Sequence, residues 1–286
     1  MAEILTGAPA AKALSINLIK RVENLKLNNI TPKLEILRLG AKAEDLSYES
    51  GIIKRCEKVG IEVKQIILNE DCTREELLSE IKNANQDKNI HGVILFRPLK
   101  DKELEQEAIN LLKPDKDVDG MTDGSMAGVF SGRDIGFAPC TAQACLEILN
   151  FYNIDLAGKN IAVLGRSLVI GRPVSILLQN QNATVTMCHS KTKNLSEICR
   201  RADVIIAAIG KANFVDKNFI NNNQVIIDVG INIDDAGKLC GDVNFEETAS
   251  LVKVITPVPG GVGAVTTSIL ASHVVKAAER YLKFKI

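Results

Sequence analysis

The sequence is poor in aromatic residues and carries no excess of either charge. Trp is absent, Tyr occurs three times, and aromatic residues make up 4% of the 286 residues. A surface that stacks single-stranded bases is therefore not expected. The 35 Lys and Arg residues balance the 35 Asp and Glu residues. Because nucleic acids and anionic membrane surfaces are bound largely through positive charge, this balance argues against both as partners.

Long apolar runs and paired cysteine motifs are also missing. No stretch approaches the ~20 apolar residues of a membrane helix. The N-terminal sequence MAEILTGAPAAKALS does not resemble a signal or transit peptide. The seven Cys residues are an odd number and form no C-x-x-C motif, so neither a disulfide framework nor a bound metal is expected. This pattern favours a reducing, cytoplasmic location.

Apolar segments rich in β-branched residues alternate with segments of helical period over most of the chain. Nearly continuous hydrophobicity is typical of parallel strands covered on both faces, and the alternation predicts an α/β fold with right-handed crossovers. The predicted strands are 33–39, 61–68, 91–95, 160–164, 183–187, 203–208, 224–229 and 252–256. The predicted helices are 9–29, 43–59, 73–86, 102–112, 141–152, 171–181, 194–200 and 265–283.

A domain boundary is expected near residues 137–141, where a Gly- and Asp-rich loop, 113–140, gives way to a new strand–helix series. The sequence thus predicts two α/β domains flanking a cleft. The N-terminal domain comprises residues 1–140, and the C-terminal domain, 141–264, is Rossmann-like with a parallel sheet. The final helix, 265–286, has no strand after it and is expected to pack back on the first domain. Clefts between domains are favoured ligand sites.

The segment NIAVLGRSLVIG at 160–171 is typical of a phosphate-binding turn. An apolar strand leads into Gly165, which allows a sharp turn, and a helix is expected to begin at Gly171. Backbone N–H groups and the positive end of the helix dipole can hold a pyrophosphate there. The match to G-x-G-x-x-G is incomplete because Ser167 replaces the second Gly, and an ordinary strand-to-helix turn remains the alternative interpretation.

Residues around this turn favour NADP over NAD. Arg166 can bind a ribose 2′-phosphate in a bidentate way, with an ordinary surface charge as the alternative. At the end of the next strand, Ser190 and Lys191 stand near the expected ribose position. The acidic residue that binds the 2′-hydroxyl of NAD in such folds is missing there. The predicted cofactor is therefore NADP.

Six ordered motifs together resemble one enzyme family over essentially the whole chain. They are KDVDG at 116–120, PCT at 139–141, GRSLVIGRP at 165–173, ATVTMCHSKT at 183–192, IDVGIN at 227–232 and TPVPGGVG at 256–263. The family is that of the bifunctional methylenetetrahydrofolate dehydrogenase/methenyltetrahydrofolate cyclohydrolases of one-carbon metabolism. The resemblance implies two α/β domains, an NADP cleft and a homodimer formed through the nucleotide domain.

The resemblance also implies roles for individual residues. Tyr48 and Asp119 would hold the folate substrate and are the predicted catalytic residues. A carboxylate accepts adjacent N–H donors of a pterin edge well, although a turn-forming role is the alternative for Asp119. Gly260 and Gly261 would let the backbone approach the substrate, with a helix-entry loop as the alternative. The residues implied to contact the cofactor are Gly165, Arg166, Ser167, Ser190 and Ile231.

Two departures from the family pattern fall on its catalytic groups. The family carries Tyr-x-x-x-Lys on the second helix, but here Ile52 stands at the Lys position after Tyr48. Lys54 is expected to project away from Tyr48, because six residues turn ~240° around a helix. The family's Val-Gln-Leu-Pro-Leu-Pro is Leu-Phe-Arg-Pro-Leu-Lys here, which puts Phe96 at the position of the Gln that bonds the Lys. A third change turns CTPxG into CTAQA at 140–144.

These departures separate the two family reactions. Hydride transfer needs alignment of donor and acceptor, whereas hydrolysis of the methenyl group needs proton transfer that Ile52 and Phe96 cannot supply. We therefore predict NADP-dependent oxidation of 5,10-methylenetetrahydrofolate to 5,10-methenyltetrahydrofolate, with a weak or absent cyclohydrolase step. The alternatives are a fully bifunctional enzyme that gives 10-formyltetrahydrofolate, a catalytically silent folate-binding homologue and, without the folate motifs, an unspecified NADP oxidoreductase.

Overall fold

The computed structural model describes residues 2–285, and the chain folds into two compact units. One contains Thr141–Thr266 together with the residues up to Lys12, and the other contains Ala13–Cys140 together with the residues from Thr267 onwards. We call them the six-strand unit and the three-strand unit, after their parallel sheets. The start of the chain, which the sequence places in the N-terminal domain, thus lies in the six-strand unit.

Strands and helices alternate along most of the chain. The strands are β1 (Glu3–Ile4), β2 (Lys33–Leu39), β3 (Glu62–Leu68), β4 (Gly92–Leu95), β5 (Asn160–Leu164), β6 (Thr184–Cys188), β7 (Val204–Ala207), β8 (Val225–Asp228), β9 (Asn232–Ile233), β10 (Leu239–Cys240) and β11 (Val254–Ile255). The helices are α1 (Gly7–Leu27), α2 (Ala43–Val59), α3 (Arg74–Gln86), α4 (Lys102–Leu111), α5 (Asp123–Ser131), α6 (Cys140–Phe151), α7 (Gly171–Gln179), α8 (Leu195–Arg201), α9 (Phe245–Thr248) and α10 (Gly263–Lys285).

The six-strand unit contains a parallel sheet in the order β1-β11-β8-β7-β5-β6. Strands β7 and β8 are buried at every position and β5 at all but its first, as expected for parallel strands covered on both faces. From β5 the chain passes through α7 to β6 on one side and then returns to β7 on the other side. This change of direction is the point at which such sheets bind nucleotides. The predicted Rossmann-like fold is confirmed.

The three-strand unit contains a parallel sheet in the order β3-β2-β4. The central strand β2 supplies Leu34, Ile36 and Leu37, which have no exposed surface. Leu77 of α3 and Leu104 of α4 pack in the same apolar cluster as Leu37. Charged residues interrupt the apolar sequence of this strand, and two of them, Glu35 and Arg38, are also buried. The unit is the second α/β layer structure that the sequence predicts.

The structure differs from the sequence-based predictions at short or glycine-rich elements. Strand β1 pairs with β11 but is only two residues long, too short to show a period in the sequence. The predicted loop 113–140 contains helix α5, which begins after Thr122, whose side chain accepts a hydrogen bond from the Ser125 N–H at 3.1 Å. Gly124 and Gly128 weaken the helical signal here, yet neighbouring segments approach both too closely for a side chain. The prediction of an uninterrupted loop is wrong.

Membrane helices and metal clusters are not found within residues 2–285. None of the helices there is both long and apolar enough to cross a membrane. That part of the chain also holds no group of three or more His, Cys, Asp or Glu side chains that could bind a metal ion. The seven Cys residues are free thiols, and five of them are buried.

Candidate active site

The carboxyl end of β4 gathers three of the predicted site residues in the three-strand unit. Phe96 follows β4 directly. Asp117 forms a parallel bridge with Val93 of β4, which carries Asp119 to the same end of the strand. Helix α2 contributes Tyr48, whose ring centroid lies 5.7 Å from that of Phe96, and the Asp119 charge acts on the Tyr48 hydroxyl. The structure therefore places Tyr48, Phe96 and Asp119 in one site.

Apolar side chains occupy positions 52 and 96, to which the resemblance assigns the family Lys and Gln. Ile52 follows Tyr48 by one helical turn and is 1% exposed, and Phe96 is 7% exposed. Neither side chain has a donor, an acceptor or a titrating group. Lys54 is exposed at the protein surface, as the helical geometry predicts. Lys54 therefore does not bring its ammonium group to the buried position of Ile52.

A buried ion pair holds α2 against the sheet beside Tyr48. The Nε atom of Arg38 on β2 donates to Oε2 of Glu49 at 2.9 Å, and Nε2 of Gln65 on β3 donates to Oε1 of Glu49 at 2.8 Å. The side chains of Arg38 and Glu49 are 5% and 4% exposed. Because Glu49 follows Tyr48 directly along α2, this network anchors the part of the helix that carries Tyr48. No local sequence signal marks it, since its members come from three separate elements.

The two carboxylates of the KDVDG motif have different environments. Asp117 has no exposed surface and accepts hydrogen bonds from the Thr122 N–H at 2.7 Å and the Ser125 hydroxyl at 2.6 Å, among others. It therefore holds together the loop before α5. The Asp119 side chain is 25% exposed, and its Oδ2 atom lies 4.0 Å from Nη2 of Arg97. Asp119 is thus the carboxylate of this motif that can receive a ligand.

Burial shifts the pKa values of the groups around Asp119. It raises the pKa of the Asp119 carboxyl to about 6, an effect that the Arg97 guanidinium opposes and the Asp117 carboxylate strengthens. Burial and the Asp119 charge also raise the pKa of the Cys140 thiol and of the Tyr48 hydroxyl well above their ordinary values. At neutral pH Asp119 is therefore ionised, while Tyr48 keeps its proton. The site offers an acceptor carboxylate and a donor hydroxyl.

The six-strand unit contains a cavity of about 330 Å³ at the carboxyl ends of β5, β6 and β7. Four of the predicted cofactor residues line it, namely Gly165, Arg166, Ser167 and Ser190. The fifth, Ile231, is not among its lining residues and is 71% exposed in the loop after β8. The structure therefore brings four of these residues together and leaves Ile231 outside the cavity.

Two glycines make the turn at this cavity sterically accessible. Gly165 has a φ of +118°, and a Cβ atom there would overlap the carbonyl oxygen of Ala208. A Cβ atom at Gly171, the first residue of α7, would overlap the Gly165 carbonyl. Both glycines thus allow the tight path of the chain from β5 to the N-terminus of α7, where N–H groups and the helix dipole favour an anion. These features fit the pyrophosphate of a dinucleotide.

The charged side chains that line the cavity are basic. Arg166 and Lys211 line it, and within the described chain no Asp or Glu side chain does. This composition fits a phosphate better than a hydroxyl at the ribose 2′ position. The sequence motifs do not mark Lys211 or Phe214, a second lining residue of the same loop. The signal that could have found them is their position just after β7, the strand that neighbours β5.

The predicted substrate glycines lie in the six-strand unit. Gly260 has a φ of +99°, and its carbonyl oxygen accepts a hydrogen bond from the Gly7 N–H at 2.8 Å. Gly261 is buried, and a Cβ atom there would overlap the carbonyl oxygen of Pro257. Both positions therefore require glycine for the path of the backbone, and they belong to a different unit from the carboxylates of the KDVDG motif.

The fold and the two sites together define a class of protein, that of two-domain α/β enzymes that use a dinucleotide. The family follows from comparison with known proteins. Residues 5–119 match the catalytic domain of tetrahydrofolate dehydrogenase/cyclohydrolase, and residues 139–282 match the NAD(P)-binding domain of the same enzymes. The chain belongs to the tetrahydrofolate dehydrogenase/cyclohydrolase family.

Individual relatives agree with this assignment. The chain is 51% identical over 278 residues to the bifunctional protein FolD of Clostridioides difficile, covering 97% of this chain and 96% of the relative. The crystal structure of the bifunctional enzyme FolD from Campylobacter jejuni is 36% identical, with a TM-score of 0.93 and coverage of 98% and 99%. A Trypanosoma brucei methylenetetrahydrofolate dehydrogenase-cyclohydrolase, solved with NADP and an inhibitor, is 30% identical, with a TM-score of 0.90 and coverage of 98% of each chain. The resemblance inferred from the motifs is confirmed.

Proposed function

We propose that this enzyme oxidises 5,10-methylenetetrahydrofolate to 5,10-methenyltetrahydrofolate with NADP⁺ and has a weak or absent cyclohydrolase activity. The observation that carries the proposal is the pair of buried apolar side chains, Ile52 and Phe96, at the positions of the family Lys and Gln. In this proposal the three-strand unit binds the folate and the six-strand unit binds the cofactor.

Residues of the six-strand cavity are proposed to bind the cofactor. NADP⁺ supplies a nicotinamide ring that accepts the hydride from the methylene carbon. The turn at Gly165 and the N-terminus of α7 would hold the pyrophosphate, while Arg166 and Lys211 would neutralise the 2′-phosphate. Ser167 and Ser190 would donate to phosphate and ribose oxygens. The NADP complex of the Trypanosoma brucei relative supports this choice of cofactor, and Ile231 stays a proposed contact made from outside the cavity.

Asp119 and Tyr48 are the proposed folate-binding and catalytic residues. The ionised Asp119 carboxylate can accept hydrogen bonds from adjacent N–H groups of the pterin. Tyr48 keeps its proton and can donate to a pterin acceptor, with its ring held against Phe96. Gly260 and Gly261 are the proposed backbone contacts to the substrate. Binding of this kind aligns the methylene carbon, and alignment can lower a barrier by ~7–11 kcal/mol without any proton transfer.

The cyclohydrolase step makes a demand that this site does not meet at positions 52 and 96. Water must attack the methenyl carbon, and protons must move as the ring opens. A desolvated Lys with a lowered pKa suits that task, whereas Ile52 and Phe96 have no group that carries a proton. Loss of acid–base catalysis typically slows a reaction by ~10²–10⁴-fold. We therefore expect the second activity to fall close to the uncatalysed rate.

The proposal is tested with the purified full chain and each substrate separately. With methylenetetrahydrofolate and NADP⁺ we expect enzyme-dependent formation of NADPH. With methenyltetrahydrofolate we expect its loss to match the rate in buffer alone. A bifunctional relative, assayed in parallel, shows that the conditions support hydrolysis. Robust hydrolysis by this enzyme would contradict the single-activity proposal, and absence of NADPH formation would contradict the dehydrogenase proposal.

Variants connect the missing activity to the two apolar residues. We expect the double substitution Ile52→Lys with Phe96→Gln to gain hydrolysis, because it restores a titrating group and its hydrogen-bond partner. The matched control is Ile52→Met with Phe96→Leu, which changes the same two side chains without adding a polar atom. Equal hydrolysis rates in both variants would show that these positions do not limit the cyclohydrolase step.

A fully bifunctional enzyme is the second candidate function, and Lys42 is the observation that favours it. Its Nζ atom lies 3.5 Å from the carbonyl oxygen of Pro98, which brings an ammonium group to the segment after Phe96. The curated relative from Clostridioides difficile is also named bifunctional. If Lys42 replaces the family Lys, the wild type hydrolyses methenyltetrahydrofolate and Lys42→Met abolishes this reaction. Under the main proposal, the substitution has no hydrolysis to remove.

The remaining proposals concern a silent homologue, the assembly and the compartment. NADP binding without reduction in the presence of methylenetetrahydrofolate would identify a catalytically silent folate-binding protein.

We propose a homodimer formed through the six-strand unit. The family resemblance supports it, and size-exclusion chromatography with light scattering tests it. A cytoplasmic location is supported by the seven free thiols and is tested by cell fractionation.

A further inference from the structure

Arg97 is the cation that faces the Asp119 carboxylate. The Nη2 atom of Arg97 lies 4.0 Å from Oδ2 of Asp119, and each side chain is 25% exposed. At this distance the two charges attract each other, but Arg97 does not take a hydrogen-bonding position on the carboxylate, which requires about 3 Å. The family sequence pattern has Leu at this position. This chain therefore adds a permanent positive charge beside a folate-binding carboxylate.

The other groups around Asp119 do not supply this charge. Asp117, two residues before Asp119, is a second carboxylate, and its charge disfavours ionisation of Asp119. Tyr48 and Cys140 are neutral when protonated, although a hydrogen bond from the Cys140 side chain also lowers the pKa of Asp119. The Cys140 thiol lies 3.8 Å from Nδ1 of His273, a histidine that burial keeps neutral with a pKa of about 4. Lys42 contacts the Pro98 carbonyl. Arg97 is thus the cation whose charge bears on Asp119.

We propose that Arg97 is a positioning residue of the folate site, which favours the ionised form of Asp119 and does not itself take a hydrogen-bonding position that the N–H groups of the substrate need. This inference rests on the proposed function. A guanidinium stays protonated at every pH at which the enzyme works, so Arg97 supports binding but cannot carry a proton. The site has lost a titrating cation at position 52 and gained a non-titrating one at position 97. In this chain the charge that supports substrate binding therefore belongs to a residue that cannot supply the proton transfer of hydrolysis.

The pH dependence of substrate binding is the expected signature of this role. Burial raises the pKa of Asp119 to about 6, and Arg97 limits the rise. An opposite charge at this distance lowers a carboxyl pKa by about one unit or more, so Arg97→Leu moves the acidic limb of kcat/KM to higher pH by about one unit. The ionised fraction of Asp119 at pH 6 then falls by about fivefold, and at pH 8 it hardly changes.

The experiment measures KM and kcat for methylenetetrahydrofolate between pH 5.5 and 8 in the wild type, Arg97→Leu and Arg97→Lys. We expect KM of the Leu variant to rise by about fivefold at pH 6 and to match the wild type at pH 8, with kcat changed much less. Arg97→Lys keeps the charge and restores the wild-type profile. The KM for NADP⁺ serves as the control and does not change.

A double substitution separates an effect through Asp119 from a structural one. In an Asp119→Asn background there is no carboxylate to hold ionised, so the further change Arg97→Leu has no effect on KM. An unchanged profile in Arg97→Leu, or an equal effect in the Asn background, would overturn the inference while the wild-type dehydrogenase activity stands. A wild type that forms no NADPH would instead overturn the proposed function.

Discussion

The Asp119 carboxylate is expected to lower the stability of the ligand-free protein at neutral pH. Burial raises its pKa from 3.8 to about 6, so the folded chain holds this proton between these two pH values while the unfolded chain releases it. Stability from this group is thus present below pH 3.8 and is lost as the pH rises through 6. The difference in pKa corresponds to about 3 kcal/mol at pH 8.

The substitution Asp119→Asn removes this cost, because Asn has a similar shape and no charge. We expect the variant to be more stable than the wild type by about 3 kcal/mol at pH 8, which corresponds to about 5–10 °C in Tm for a domain of this size. Near pH 4 the wild-type carboxyl is protonated, and the two proteins unfold at nearly the same temperature. The variant is also expected to lose affinity for methylenetetrahydrofolate.

Differential scanning calorimetry of both ligand-free proteins at pH 8 and pH 4 checks this expectation. Asp115→Asn is the matched control, because Asp115 lies in the same loop and is exposed, and its substitution leaves the pH dependence of Tm unchanged. A Tm of Asp119→Asn that equals or falls below the wild-type value at pH 8 would refute the reasoning, as would a difference that is the same at both pH values.

The remaining predictions concern the buried ion pair, the cofactor turn and a buried histidine. Glu49→Gln leaves Arg38 buried without its charged partner and destabilises the protein by about 3–5 kcal/mol. The double change Arg38→Met with Glu49→Leu costs much less, because it leaves no unpaired charge. Thermal unfolding measures both, and an equal loss of stability in the two variants would contradict this prediction. Gly165→Ala strains a backbone with a φ of +118° by about 1–3 kcal/mol and also places a Cβ atom against the Ala208 carbonyl oxygen. We expect it to weaken NADP binding, measured by calorimetric titration, and unchanged affinity would argue against the assigned turn. Burial lowers the pKa of His273 to about 4, so its contribution to stability is complete above pH 6.5 and is lost as the pH falls toward 4. The Tm of His273→Gln is therefore expected to fall less than that of the wild type between pH 7.5 and pH 5. An equal fall in the two proteins would count against this account.

Strong periodicity made some elements fully predictable from the sequence. The strand predicted at 33–39 and the helix predicted at 43–59 have these bounds in the structure. Strand β2 is rich in Leu and Ile, and α2 ends at Gly60, whose left-handed conformation stops the helix. Helix α5 was not predicted, because its glycines are needed where other segments pack closely against the helix, and such packing gives no periodic signal in the sequence.

The candidate cofactor turn was also predictable, because its residues follow one another along the chain. Gly165, Arg166 and Ser167 are consecutive, and the strand before them and the helix after them both show in the sequence. Lys211 joins the same cavity from a loop more than forty residues away, where it has no motif of its own. The pairing of β5 with β7 brings the two loops together, and strand pairing is decided by the sheet as a whole.

The sequence by itself determined the family and the α/β class, and it predicts apolar residues at the positions of the family Lys and Gln, because each of these follows from residue types at fixed spacing. The resemblance assigns the folate to Asp119, but the residue types of KDVDG alone give no physical reason to prefer it over Asp117, which stands two residues away. The tertiary structure separates their roles: Asp117 is enclosed by hydrogen bonds from Thr122 and Ser125, while Asp119 stays partly exposed beside Arg97. Charge and hydrogen bonding depend on which distant segments meet, and only the folded chain decides that.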